Sequence, residues 1–287
     1  MKRVFPILAV LTAFLLAYAF YEAIWVAPME RTMGDVQRIF YYHVPSAWTA
    51  FLLFFINFFA SLQYMVSSKP LAKKTTNWIV IAVGVVGFIA PFFPQVQRLL
   101  PDGMYPSSAA TTAIMIPALY FLIGSFFSER SLDVLAVTTA EVGVVFCTIV
   151  LVTGPIWARP VWGIWWTWDI RLTTTLVLWL IYVSYLVLRR FSESSQTPKL
   201  AAVLAIFGAL DVPLVYFSIW FFRTQHPQPV IGGGGSIDPR MLHVLLINWM
   251  AFSCFAFLVC WWRYRLESLR REVDEMEAME SLHGAVQ

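Results

Sequence analysis

The run Trp162-Gly163-Ile164-Trp165-Trp166-Thr167-Trp168-Asp169-Ile170-Arg171 puts four of the chain's thirteen tryptophans within seven positions. Indoles packed this densely make a flat, rigid apolar platform with N–H donors at its edges, a surface suited to a large flat aromatic ligand. The same composition suits a bilayer–water interface, so both readings stand at this point. If such a ligand carried a metal, histidine would be the natural axial group, through a neutral ring nitrogen. The chain has four histidines. His43 lies in Tyr41-Tyr42-His43-Val44-Pro45-Ser46-Ala47-Trp48, just ahead of an apolar run that Pro45 would open as a first-turn proline. His226 lies in Arg223-Thr224-Gln225-His226-Pro227. His243 begins the last apolar run and reads as a packing residue, and His283 sits in a polar tail. Taken singly, His43 is an interfacial histidine and His226 a loop histidine. Arg38, Arg159, Arg171 and Arg223 offer forks for a carboxylate, or anchors that snorkel to an interface. Asp169 reads as orienting an Arg or the Trp segment more than as meeting an anionic ligand.

The elements that must position these residues are membrane helices. The 287-residue chain is 59% hydrophobic and only 13% charged, against about 25% charged in soluble domains. Eight apolar runs are long enough to cross a bilayer: 4–27, 42–66, 77–95, 109–127, 134–156, 172–190, 199–222 and 241–264. The expected fold is an all-α polytopic membrane protein of about eight transmembrane helices. Pro91 and Pro94 should stop or kink the third run, and Asp211-Val212-Pro213 should break up the seventh. With the N-terminus inside, thirteen of the twenty Lys and Arg residues fall on the cytoplasmic side, Lys2, Arg3, Lys69, Lys73 and Lys74 among them. Both termini are then cytoplasmic, and the Trp segment, His43 and His226 share the outer face. A planar metallo-ligand resting on the indoles with one histidine on each side is the simplest ligand that uses all three features.

Other chemistry finds no support. Cys147, Cys254 and Cys260 all lie in apolar runs, form no CxxC pair and read as buried thiols. No nucleotide-binding, zinc-protease or triad motif is present, and the net charge of +3 says nothing of nucleic acid. The N-terminal run is too long for a signal peptide and reads as the first span. Glu22, Glu141 and Asp211 are acids inside spans, with Glu141 placed to pair within the bundle. Gly232-Gly233-Gly234-Gly235 reads as a flexible stretch of the last outer loop. In the tail 266–287, Leu266, Leu269, Val273, Met276 and Met279 recur at helical spacing, either as a solvated helix end or as a docking helix for a cytoplasmic partner.

The ordered segments Tyr41-Tyr42-His43-Val44-Pro45, Trp162 to Thr173, and Asp211-Val212-Pro213 through His226-Pro227 resemble the "WWD" haem-handling proteins, and the whole is similar to the CcmC family of cytochrome c maturation. The resemblance covers about residues 1–66 and 134–264. It implies non-covalent haem b, with His43 and His226 as axial ligands to the iron. It assigns Trp162, Gly163, Trp165, Trp166, Trp168, Asp169 and Arg171 to haem binding. It implies delivery to the haem chaperone CcmE in a complex with CcmA, CcmB and CcmD, in the bacterial cytoplasmic (inner) membrane. The chain itself would not be an enzyme; an associated ABC subunit would hydrolyse ATP. Residues 1–265 would be the haem-handling membrane domain and 266–287 a cytoplasmic amphipathic tail. The usual family pattern has six spans, so residues 67–133 read as an added helical hairpin, whose even span count preserves the orientation of the later spans. The eight-span, CcsA-type haem proteins, which attach haem to apocytochrome, are the alternative. A third reading is a scaffold whose tryptophans only anchor the interface.

Overall fold

A computed structural model describes residues 4–100, 105–192, 194–222, 224–227 and 237–284. Lys2, Arg3, Arg223 and the Gly232–Gly235 run lie outside the described residues. Among the described residues eight helices are long and apolar enough to cross a membrane. The chain runs through α1 (Val4–Tyr21), α2 (Phe40–Ser67), α3 (Pro70–Ile89), a short α4 (Pro94–Gln97), α5 (Pro106–Phe126), α6 (Glu129–Trp162), α7 (Ile170–Phe191), α8 (Thr197–Phe221) and α9 (Pro239–Gly284). A π-helical turn, Glu22–Val26, extends α1, and 3-10 turns occupy Asp35–Ile39 and Ala90–Phe92.

The punctuation is chemical. Pro70 opens α3 and Pro106 opens α5, where a missing N–H costs nothing. Pro91 ends the α3 run in the 3-10 turn, as its sequence suggests. The Ser128 hydroxyl accepts the Ser131 N–H to cap α6. Two expectations are corrected. First, α8 runs unbroken through Pro213, because tertiary packing holds a helix that loses one backbone bond there. Asp211 is buried in its wall at 8% exposure, with Oδ2 lacking a protein partner. Second, α2 starts at Phe40, continuing directly from the 3-10 turn, so His43 lies within the helix and not ahead of it. Pro45 therefore falls beyond the first turn and cannot supply a helical N–H to the Tyr41 carbonyl.

The centre of the bundle is α2 against α6, with α7 and α8 closing over it. Phe54 of α2 stacks on Tyr182 of α7 with ring centroids 3.8 Å apart. Gly143 of α6 allows this approach: a Cβ there would come within 2.6 Å of Phe54. Asn57, fully buried, donates to the Ala136 carbonyl at 2.7 Å and locks α2 to α6. In lipid, where apolar transfer no longer drives association, such close packing and buried polar bonds hold helices together. The hairpin of α3 and α5 packs on the side of α2 and α6 through Phe59, Tyr120, Ile123 and Leu132. Tyr120 of α5 also donates to Asn77 Oδ1 of α3 at 2.8 Å.

The end of the bundle opposite His43 is fastened by charge. Asp133 of α6, 5% exposed at its side chain, takes two bonds from Arg189 of α7 at 2.8 and 2.6 Å and pairs with Arg271 of α9 at 2.9 Å. Glu141 pairs with Arg263 through both carboxylate oxygens, at 2.7 and 2.8 Å. The helix read in the tail is continuous with α9, which runs without a break from Pro239 to Gly284. The three cysteines are free thiols.

Candidate functional site

Gly163 and Asp169 together shape the Trp segment. Gly163 adopts φ +78°, a left-handed conformation natural to glycine, and its N–H returns to the Arg159 carbonyl at 3.0 Å to end α6. Asp169 begins α7, its Oδ1 accepting the Arg171 N–H at 2.9 Å. The tryptophans between these two signals therefore sit on a short irregular connector at the same end of the bundle as the start of α2. The indoles are not a single flat floor. Trp166 and Trp168 meet at 81°, and Trp162 meets Trp157 of α6 at 82°. Edge-to-face contact is the favoured geometry for adjacent rings, and it overrides coplanarity here. Trp165 and Trp168 are exposed at 59% and 75%, whereas Trp166 turns inward and its Nε1 is buried without a protein partner.

Both histidines of the sequence reading come to this end. His43 lies over α6: its Nδ1 is 2.8 Å from Thr153 Oγ1, and its ring faces Gly154. The Thr153 hydroxyl has one proton, and it points to the Ile149 carbonyl at 2.7 Å. With that proton given to Ile149, Thr153 accepts from His43 Nδ1–H, and no hydrogen bond to His43 Nε2 is found among the described residues. His226 reaches the same state by another route. Its Nδ1 is 2.9 Å from the Pro227 carbonyl, which can only accept, so Nδ1 carries the proton and Nε2 is again the open nitrogen. Burial first, and then the charge of Arg171, push the His226 pKa down to about 4; the ring is neutral near pH 7. His43 lies within the electrostatic reach of both His226 and Arg171, so the three groups share one neighbourhood.

The remaining candidates separate by their bonds. Asp169 spends Oδ2 on the Gln225 N–H at 3.0 Å, so each of its carboxylate oxygens holds backbone, and among the described residues neither meets a guanidinium. Arg159 donates to the Gly163 carbonyl and thereby serves the end of α6. Arg38 donates to the Ala23 carbonyl at 2.8 Å and to Asp35 at 2.9 Å. Arg171 differs, because its Nη1 is buried without a protein partner. Tyr42 Oη and the indole Nε1 of Trp220 and Trp249 are likewise buried and unpartnered. Two clefts open at this end of the bundle. One, of about 460 Å³, is lined by Trp157, Trp162 and Pro227 together with Met33; the other, of about 560 Å³, is lined by Ile24, Arg38 and Tyr42. His243 lies in the early turns of α9, and His283 bonds the Met279 carbonyl in the exposed tail.

Sequence reasoning missed Thr153. A threonine within an apolar helix usually returns its hydroxyl to the preceding turn, and nothing in its spacing distinguishes it. The arrangement offers two imidazoles held through Nδ1, indole edges and one half-buried arginine. Among the described residues no three His, Cys, Asp or Glu side chains gather as a group that could hold a metal ion. Two histidines are too few for a closed metal cage, and they suit the axial positions of a macrocycle that supplies its own equatorial ligands. The unpartnered Arg171 nitrogen suits a carboxylate on that macrocycle's edge.

The family described as "Heme exporter protein C" matches residues 106–279. That stretch contains the Trp segment, Thr153 and His226. The "Heme exporter protein C" of Bradyrhizobium diazoefficiens is 29% identical over 282 residues, spanning 97% of this chain and 84% of that protein. A "Putative cytochrome c biosynthesis ccmC-like mitochondrial protein" of Marchantia polymorpha is 28% identical over 246 residues, 85% of this chain and 78% of its own length. The "Heme exporter protein C" of Escherichia coli is 34% identical over 143 residues, 50% of this chain and 56% of that protein.

Proposed function

The chain belongs to the haem exporter protein C family, and from that premise we propose that it is a haem-handling membrane component of cytochrome c maturation. It holds non-covalent haem b as cargo between His43 and His226 and catalyses no bond change itself. The carrying observation is the pair of imidazoles on separate elements, each held through Nδ1, and this supports Nε2 as the nitrogen offered to iron. A ring-nitrogen partner of this kind orients a metal-ligating histidine and raises its basicity. Trp166 and Tyr42 each offer apolar surface and a buried polar atom to the porphyrin. Arg171 pairs with a haem carboxylate, which satisfies the guanidinium nitrogen that protein atoms leave open. Trp165 and Trp168 present an open indole surface from which a chaperone can collect the haem.

The family premise extends this reading to partners and place. The receiving chaperone is CcmE, and the complex includes CcmA, CcmB and CcmD, the ABC subunits supplying ATP hydrolysis. The protein sits in the bacterial inner membrane with both termini cytoplasmic and the haem site on the outer face, a topology that the Lys and Arg distribution supports. Helices α3 and α5 pack as a hairpin beside the haem-handling helices, the second of them inside the family match, and the printed names of the relatives favour haem export over a CcsA-type lyase.

The test is an absorption spectrum of the protein purified in detergent after haem supply. A Soret band is expected in the wild type and its loss in the double variant His43→Ala, His226→Ala. No Soret band in the wild type, or an unchanged band in the double variant, overturns the reading.

A further inference from the structure

We propose that Asp169 is a positioning residue that holds His226 in reach of the iron and does not itself touch haem; the inference rests on the haem-site reading above. Its carboxylate joins two pieces of chain 56 residues apart. Oδ1 takes the Arg171 N–H at 2.9 Å and starts α7. Oδ2 takes the Gln225 N–H at 3.0 Å, one residue before His226. Both bonds are charge-assisted and so stronger than their neutral equivalents.

Among the described residues the His226 segment packs by Pro227 near Trp157 and Trp162 and makes few other hydrogen bonds. Helix α8 ends at Phe221, and α9 begins only at Pro239. Among the described residues 224–227, the other hydrogen bonds are local: His226 N–H to Thr224 Oγ1 at 3.1 Å, and His226 Nδ1 to the Pro227 carbonyl. The Gln225 bond to Asp169 is the hydrogen bond that fastens this segment to another element. His43, by contrast, rides on a helix and is bonded to a second helix. The two ligands therefore differ in what holds them, and a single carboxylate sets both the loop-borne histidine and the helix start that carries Arg171. Loss of Oδ2 alone lowers the fraction of molecules with His226 in place, and apparent axial affinity falls with that fraction.

Asp169→Ser separates the two roles. Serine caps a helix about as well as aspartate, yet its single oxygen cannot also reach Gln225. The experiment compares wild type, Asp169→Ser and His226→Ala, first without haem and then with it. In the haem-free protein, amide exchange at residues 224–227 is expected to rise at least about tenfold in Asp169→Ser while the first turns of α7 stay protected. In the haem-loaded protein, the six-coordinate low-spin spectrum is expected to shift toward that of His226→Ala, and millimolar imidazole is expected to restore it. Unchanged exchange at 224–227, or acceleration spread along α7, overturns the proposal, as does a wild-type spectrum in Asp169→Ser when His226→Ala has changed. If His226→Ala leaves the spectrum unchanged, the haem reading itself fails, and the proposal built on it is overturned whatever the exchange shows.

Discussion

Replacing Thr153 by valine isolates the bond that sets the His43 tautomer. Valine matches threonine in shape, so the contact between α2 and α6 keeps its packing, and the hydroxyl bond to Ile149 lies within α6 and needs no replacement. What disappears is the acceptor 2.8 Å from His43 Nδ1. A half-buried N–H left without a partner costs about 1–3 kcal/mol. Loss of an outer-shell partner of a metal-ligating histidine typically lowers metal affinity about 10–100-fold, which converts to roughly 1.4–2.8 kcal/mol. The two routes agree, so haem should leave Thr153→Val about 10–100 times faster than it leaves wild type. The assay is transfer of haem to excess apomyoglobin, followed in the Soret region. Thr153→Ser, which keeps the acceptor, should release haem at close to the wild-type rate. A valine variant within about twofold of wild type refutes the tautomer argument, because the Nδ1 bond would then contribute nothing to ligation.

Further outcomes rest on the same geometry. Arg171→Gln should weaken haem binding by about tenfold or more, as loss of a charge-assisted pair implies, while the dimethyl ester of haem, which lacks the carboxylates, binds both proteins alike; equal losses for the two ligands would count against the carboxylate pairing. Gly163→Ala should cost about 1–2 kcal/mol in thermal unfolding in detergent, because a Cβ at φ +78° meets open space and the penalty is backbone strain alone; Gly163→Asn should cost less. Asp133→Asn should cost about 3–5 kcal/mol by the same assay, since it strands Arg189 and leaves Arg271 with Glu267 as its one carboxylate partner, and a change below about 1 kcal/mol would mean that the cluster acts as a surface pair.

Much of the architecture was legible because long apolar runs and proline stops are local signals. The eight runs, the stop of α3 at Pro91 and the gathering of His43, His226 and the Trp segment at one end all come from such signals. What escaped depends on contacts between distant residues. Asp211-Val212-Pro213 reads as a break, yet packing on both sides carries α8 through it. The indoles read as a floor, yet ring quadrupoles turn neighbours edge to face. Asp169 reads as orienting an Arg or the Trp segment, and its first oxygen does hold the Arg171 N–H, but its second finds an amide 56 residues away, and only the folded chain brings Gln225 there. Thr153 looked like any helical threonine until α2 laid His43 against it.

Helix α9 has a mechanical consequence. Its 46 residues, Pro239 to Gly284, contain no internal proline and no glycine before the last position. At 1.5 Å per residue it is a rod about 69 Å long, well beyond the thickness of a bilayer core. Trp249, in the first quarter of the rod, lies edge-to-face against Trp48 of α2, and Arg263, Arg271 and Glu275 along its second half are clamped to α6. A rod without a hinge does not absorb a push at one end by bending. A load on the segment past Arg271 would reach the clamps as torque about α6 and arrive at the Trp48 contact as tilt, so the two ends of the molecule are coupled by stiffness alone.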